Sequence, residues 1–136
     1  MVEIQIDYQG KLRCQSRHMP SSTLLETDAP VDNHGLGESF SPTDLVATAL
    51  GSCMATVMGI VAQQKEVDLS GLKVVVQKEM SADLPRRISH IPVEISMPIK
   101  EDHPDAELLK KTALACPVHQ SLHPDLKVNL SWRWRS

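Results

Sequence analysis

At 136 residues and 41% apolar composition, the chain is sized for one domain spanning 1–136 with a real core. A single Phe, a single Tyr and two Trp, with a net charge of -3, leave neither the stacking surfaces nor the basic footprint that nucleic-acid binding uses. The three cysteines, Cys14, Cys53 and Cys116, do not form a secreted disulfide framework, and their odd number points to free thiols or redox chemistry. The N-terminus opens as an alternating strand with no basic flank leading into an apolar run, so the expected compartment is the cytoplasm.

Alternation of Val2, Ile4, Ile6 and Tyr8 predicts a strand, Gln9 and Gly10 a turn, and "KLRCQSR" the partner of a hairpin. "STLLETD" predicts a third strand. The Pro, Gly, Asn and Asp content of "APVDNHGLGESFSP" marks a loop that delivers the chain to an apolar segment. There Ser41 reads as an N-cap, Pro42 as the first helical residue and Asp44 as the acidic member of a capping box. No charged residue lies between Asp44 and Lys65, a gap long enough for a membrane span. Thr48, Ser52, Thr56 and several Ala and Gly dilute it, and no aromatic belt or basic flank borders it, so the reading is a buried central helix and no membrane partner.

The β-branched run "LKVVVQKEM", the turn "DLPRR" and the run "ISHIPVEISMPI" predict a long hairpin, with Ile91, Val93, Ile95, Met97 and Ile99 on one face. "HPDAELLKKTALAC" predicts an amphipathic helix whose apolar face runs through Leu108, Thr112 or Ala113, and Ala115, and which ends before Pro117. Val128, Leu130, Trp132 and Trp134 alternate in a final strand. The order βββαββαβ is an α+β pattern, with two helices for the sheets to cover.

Cys116 precedes Pro117, which cannot continue the previous helix but suits the first position of a new one, making Cys116 an N-cap thiol at the positive end of a helix dipole. Such placement lowers a thiol pKa; the alternative is a buried small residue at a kink. Cys53 sits mid-helix among Gly51, Ser52 and Ala55, which leave space beside the sulfur, while Gly59 admits another backbone; the alternative is a core cysteine. Cys116, His119 and His123 stand at i, i+3 and i+7, a possible zinc face if the helix survived Pro117, with His34 and His103 as further donors. His123 precedes Pro124, which disfavours helical geometry there, so no metal is assigned.

The segments "SPTDLVATALGSC" and "ACPVHQSL", in that order, together with "TDAPVDN", resemble the OsmC/Ohr family of thiol peroxidases over nearly the whole chain. The resemblance implies an OsmC-like fold with a long buried central helix and an intertwined homodimer in which the N-terminal hairpin region, 1–40, is exchanged. It implies that Cys53 is the peroxidatic thiolate and Cys116 the resolving cysteine, that the substrate is an organic hydroperoxide, and that an external dithiol resets the enzyme without a bound cofactor. Leu50, Met54, Val57 and Met58 are candidate pocket walls or plain core. The family supports its thiolate with an arginine and a glutamate. The glutamate position falls on Thr43 here, whereas the acid is Asp44, one place on. Arg13 is the first candidate cation and Arg17 the second. Glu38 is the other candidate acid, Asp44 reads equally as a cap, and His18 or His119 could polarise the thiol instead.

Three classes of function follow: a peroxidase using Cys53 and Cys116, a non-catalytic redox sensor or binder of a small apolar ligand on the same fold, and a Cys/His metal site. Cys14, on an alternating strand, reads as a packing or surface residue. Ala49, Ser52, Thr56 and Gly59 would let the central helix approach its mate in a two-fold dimer.

Overall fold

The computed structural model describes all residues, 1–136, and the chain divides into two compact units, Met1–Val46 and Ala47–Ser136. The first unit carries an antiparallel sheet in the order β1 (Ile4–Gly10), β2 (Arg13–His18), β3 (Thr23–Asp28). Its first hairpin turns at Lys11 and Leu12, both at positive φ (55° and 65°), rather than at Gln9 and Gly10. A turn of that hand matches the twist of the flanking strands. The register places Tyr8 opposite Cys14 and Arg13 opposite Asp28. A short 3-10 turn, Val31–Asn33, interrupts the loop that follows.

Helix α1 (Pro42–Gln64) begins as the sequence predicts. Ser41 N–H donates to Asp44 Oδ2 at 2.9 Å and Asp44 N–H donates to Ser41 Oγ at 3.1 Å, a reciprocal capping box that satisfies two of the helix's unpaired donors. By length and composition α1 could cross a membrane. In the second unit, however, its face of Ala47, Leu50, Met54, Met58 and Ala62 forms the core together with the central strand of a four-stranded sheet.

That sheet is built around β6 (Ile88–Ser96), whose Ile91, Val93 and Ile95 are buried. β4 (Lys73–Val76) and β5 (Glu79–Met80) pair antiparallel with it, while β7 (Lys127–Arg133) pairs parallel. The run read as one strand is split at Gln77 and Lys78. Gln77 N–H donates to Pro92 O at 3.0 Å, but Pro92 has no N–H to return, and the ladder breaks there. Gly51 also differs from expectation. A Cβ at that position would lie 2.9 Å from Val76 Cγ1 and 3.2 Å from Val74 Cγ1, so β4 fills the space that Gly51 leaves on the helix. At Gly59 a Cβ would meet nothing within 4 Å.

A parallel strand needs a crossover, and α2 (Ala106–Leu114) with α3 (Pro117–Ser121) supplies it between β6 and β7. The buried face of α2 is Ala106, Leu109 and Ala113, which continues into Cys116; Leu108, expected to face inward, is 39% exposed. The helix begins at Ala106, and that phase turns the second of the adjacent leucines to the core. Trp132 and Trp134 stack at 5.6 Å between ring centroids and pack against the same core as Val128 and Leu130. Leu109→Ala should therefore cost about 2–5 kcal/mol of unfolding free energy, and Leu108→Ala no more than about 1 kcal/mol. Urea unfolding at one protein concentration measures both, and equal losses would contradict the assigned face.

Candidate active site

Two clusters of chemically able side chains are built from separate parts of the chain. In the second unit they are Cys53 and Cys116. Pro117 stops α2 from continuing, and the chain restarts as α3 with Cys116 in its N-cap position, at φ -62° and ψ 144°. The Cys116 Sγ accepts the N–H of His119 at 3.3 Å. It is fully buried, in the core that α1, β6 and α2 share. Cys53, one position before the buried Met54, sits at the margin of that core and is half-buried. Cys53 packs against the core cluster that contains Cys116, and neither is in a disulfide.

The expected effect of the helix terminus on Cys116 is outweighed. Burial pushes its thiol up from the ordinary range; the amides of His119 and Val118 pull it down, while the neighbouring Cys53 adds to the rise. A short helix end supplies a fraction of a charge, and taking a thiolate out of water opposes it. The buried sulfur is thus held as a thiol beside a more accessible one.

Of the other residues near this pair, Leu50, Met54 and Met58 are fully buried core, and Val57 is half-buried against it. His119 N–H caps the sulfur, while its ring Nδ1 is buried without a hydrogen-bond partner. The set Cys116, His119 and His123 does not converge. α3 ends at Ser121, Leu122 is extended at ψ 154°, and the exposed His123 instead accepts the N–H of Asp125 at 3.0 Å. No group of three His, Cys, Asp or Glu side chains has the arrangement of a metal site. His103 accepts the N–H of Asp105 at 3.0 Å, and His34 ends the 3-10 turn at positive φ.

In the first unit, Arg13 and Glu38 form an ion pair, and Asp28 Oδ2 lies 3.6 Å from the same guanidinium nitrogen, Arg13 Nη2. Glu38 first and Asp28 second hold the guanidinium charged more firmly than its ordinary value. Arg17 is exposed further along the same strand, and His18, at the strand's end, meets Ser21 Oγ at 2.6 Å. Asp44 closes the capping box described above. Cys14 is half-buried, opposite Tyr8 and Thr27 in the register. Of the candidate supporting residues, then, Arg13 and Glu38 come together directly. Sequence reasoning missed Asp28, which is 1% exposed. The signal that could have found it is pairing: once the β2–β3 register is assigned, an acid stands opposite Arg13.

Comparison with known proteins gives the family of the chain. The family model for OsmC-like proteins matches residues 35–131. A Psychrobacter arcticus 273-4 protein, provisionally named for an osmotic stress induced and detoxification response, is 43% identical, with a TM-score of 0.88 over 99% of this chain and 96% of that one. The fold is also similar to that of an organic hydroperoxide resistance protein from Legionella pneumophila, at 16% identity and TM-score 0.78 over 98% and 96% of the two chains. An OsmC like protein from Mycoplasma pneumoniae gives 14% and 0.81 over 100% and 98%. No curated protein matches the chain. On the family match and the Psychrobacter relative, the chain belongs to the OsmC-like protein family.

Proposed function

We propose that this protein is a stress-response peroxidase that reduces organic hydroperoxides through Cys53 and Cys116. The observation that carries the reading is a half-buried and a fully buried thiol packed into one core. The more accessible sulfur meets the peroxide. Cys53, as thiolate, attacks the distal oxygen of ROOH; the O–O bond breaks, the alkoxide takes a proton and leaves as ROH, and Cys53 becomes a sulfenic acid. The Cys116 thiol gives up its proton, its sulfur attacks Cys53, hydroxide leaves as water, and a disulfide forms. An external dithiol then takes up the two oxidising equivalents and restores both thiols. The apolar surroundings of the pair suit an organic over a strongly hydrated peroxide. Descriptions of the relatives as osmotic-stress, detoxification and hydroperoxide-resistance proteins support the same reading, and a reducing cytoplasm suits it. Arg13, paired with Glu38, is the cation assigned to stabilise the departing alkoxide.

With cumene hydroperoxide and dithiothreitol, the protein should consume peroxide catalytically, and Cys53→Ser should abolish this. Cys116→Ser should keep a single stoichiometric oxidation but form no intramolecular disulfide, and Cys14→Ala should behave as the parent. Because Cys116 is held as a thiol, disulfide closure should quicken as pH rises above neutral. Full turnover in both the Cys53 and Cys116 variants, or no oxidation of the parent, would remove the peroxidase reading and leave the sensor or binding class.

The reading includes an obligate homodimer with exchanged N-terminal strands, so that Arg13 of one copy serves Cys53 of the other. Two exposed surfaces support it. Ile4, Ile6 and Tyr8 share one face of β1 and are exposed. On α1 the small residues Ala49, Ser52 and Thr56 are exposed beside the open position at Gly59, and Ile60 follows. Sedimentation should give a dimer at micromolar concentration, and the unfolding midpoint should rise with concentration. A fully active monomer would contradict this assembly.

A further inference from the structure

Asp28 has properties that neither strand packing nor the loop it precedes requires. It ends β3 and is 1% exposed, among the most buried polar residues in the chain. Its Oδ2 accepts the N–H of Glu38 at 3.0 Å and faces Arg13 Nη2 at 3.6 Å, while its Oδ1 is buried with no hydrogen-bond partner. Its backbone N–H donates to Phe40 O at 3.0 Å, so the loop that carries Glu38 is tied to this residue twice. A cavity of about 110 Å³ opens beside the group, lined by Arg13, Glu26, Asp28, Glu38 and Ser39 among others.

Holding a carboxylate out of water is unfavourable by several kcal/mol unless something pays it back, and an incompletely bonded oxygen adds to that cost. An asparagine could accept the Glu38 N–H without any charge. The charge itself therefore needs another use, and the group it faces is the Arg13 guanidinium. Glu38 cannot fix that guanidinium alone: its side chain is 59% exposed, and exposed ion pairs contribute little and are screened by salt. A buried carboxylate does not wander, and this one is also the register partner of the arginine.

We propose that Asp28 is a positioning residue for the peroxidase reaction: its buried carboxylate fixes both the Arg13 guanidinium and, through the Glu38 N–H, the exposed acid that pairs with it. Asp28 touches neither peroxide nor sulfur. It determines where the cation stands when the peroxide bond breaks. The inference rests on the proposed role of Arg13, and its test separates the two.

Asp28→Asn keeps the shape and the acceptor for Glu38 N–H but removes the charge. Stopped-flow oxidation of the reduced protein by cumene hydroperoxide should slow by roughly ten- to a hundredfold, the scale expected when a reacting group is misplaced. Reduction of the disulfide by dithiothreitol should stay within about twofold, because that half-reaction has no departing alkoxide to stabilise. In an Arg13→Met background, Asp28→Asn should slow oxidation no further. Unchanged oxidation in Asp28→Asn, equal slowing of both half-reactions, or independent additive losses would overturn the role of Asp28. Parental oxidation in Arg13→Met would instead overturn the reading on which it rests. A measurement on the unsubstituted protein adds a check that does not depend on the variant folding. By NMR, the guanidinium protons of Arg13 should exchange with solvent more slowly than those of exposed Arg17, and equal exchange would overturn the fixed arginine.

Discussion

The position at which α2 stops determines where the second sulfur lies. Pro117 cannot donate to the preceding turn, so the helical ladder ends and a new one begins, with Cys116 in the cap position between them. The amide of His119 then holds the sulfur from one side, and the core of α1, β6 and α2 encloses it. Cys53 packs against the same core because the neighbouring Leu50, Met54 and Met58 are themselves the core face of α1. Gly51 lets β4 press against the same stretch of helix, which leaves little freedom in how α1 lies on the sheet. The placement of both thiols in one core is thus a consequence of packing, and it divides their chemistry. The enclosed thiol keeps its proton, and the one at the margin is open to reagents.

What could be read from the sequence was local. The Ser41–Asp44 box, the period-2 faces of β6 and β7, and the restart at Pro117 each depend on residues within a turn of one another, and each is present. Features that depend on the rest of the molecule were not legible. Leu108 and Leu109 are chemically identical, and only the start of α2 decides which is buried. The break in the β4–β5 run depends on Pro92 in another strand. At Cys116 the His119 N–H does reach the sulfur, as a helix end predicts, but burial and the adjacent thiol enter only through tertiary structure. The pairing of Cys53 with Cys116 rests on family resemblance rather than on spacing, and Asp28 is recognisable only once the β2–β3 register sets it opposite Arg13.

The cation and the sulfurs belong to different compact units. The Arg13, Glu38 and Asp28 cluster is complete within the N-terminal sheet and its loop, and the cysteine pair is complete within the helical core. In the proposed homodimer, exchange of the N-terminal strands would bring that positive charge to the peroxide.

The central claim is that peroxide links these two sulfurs and no others. Fully reduced protein treated with one equivalent of cumene hydroperoxide, blocked with an alkylating reagent and digested without reductant, tests it directly by mass spectrometry. The account predicts one linked species joining the peptides that contain Cys53 and Cys116, with Cys14 alkylated. A linkage through Cys14, or both Cys53 and Cys116 recovered as alkylated thiols, would contradict it.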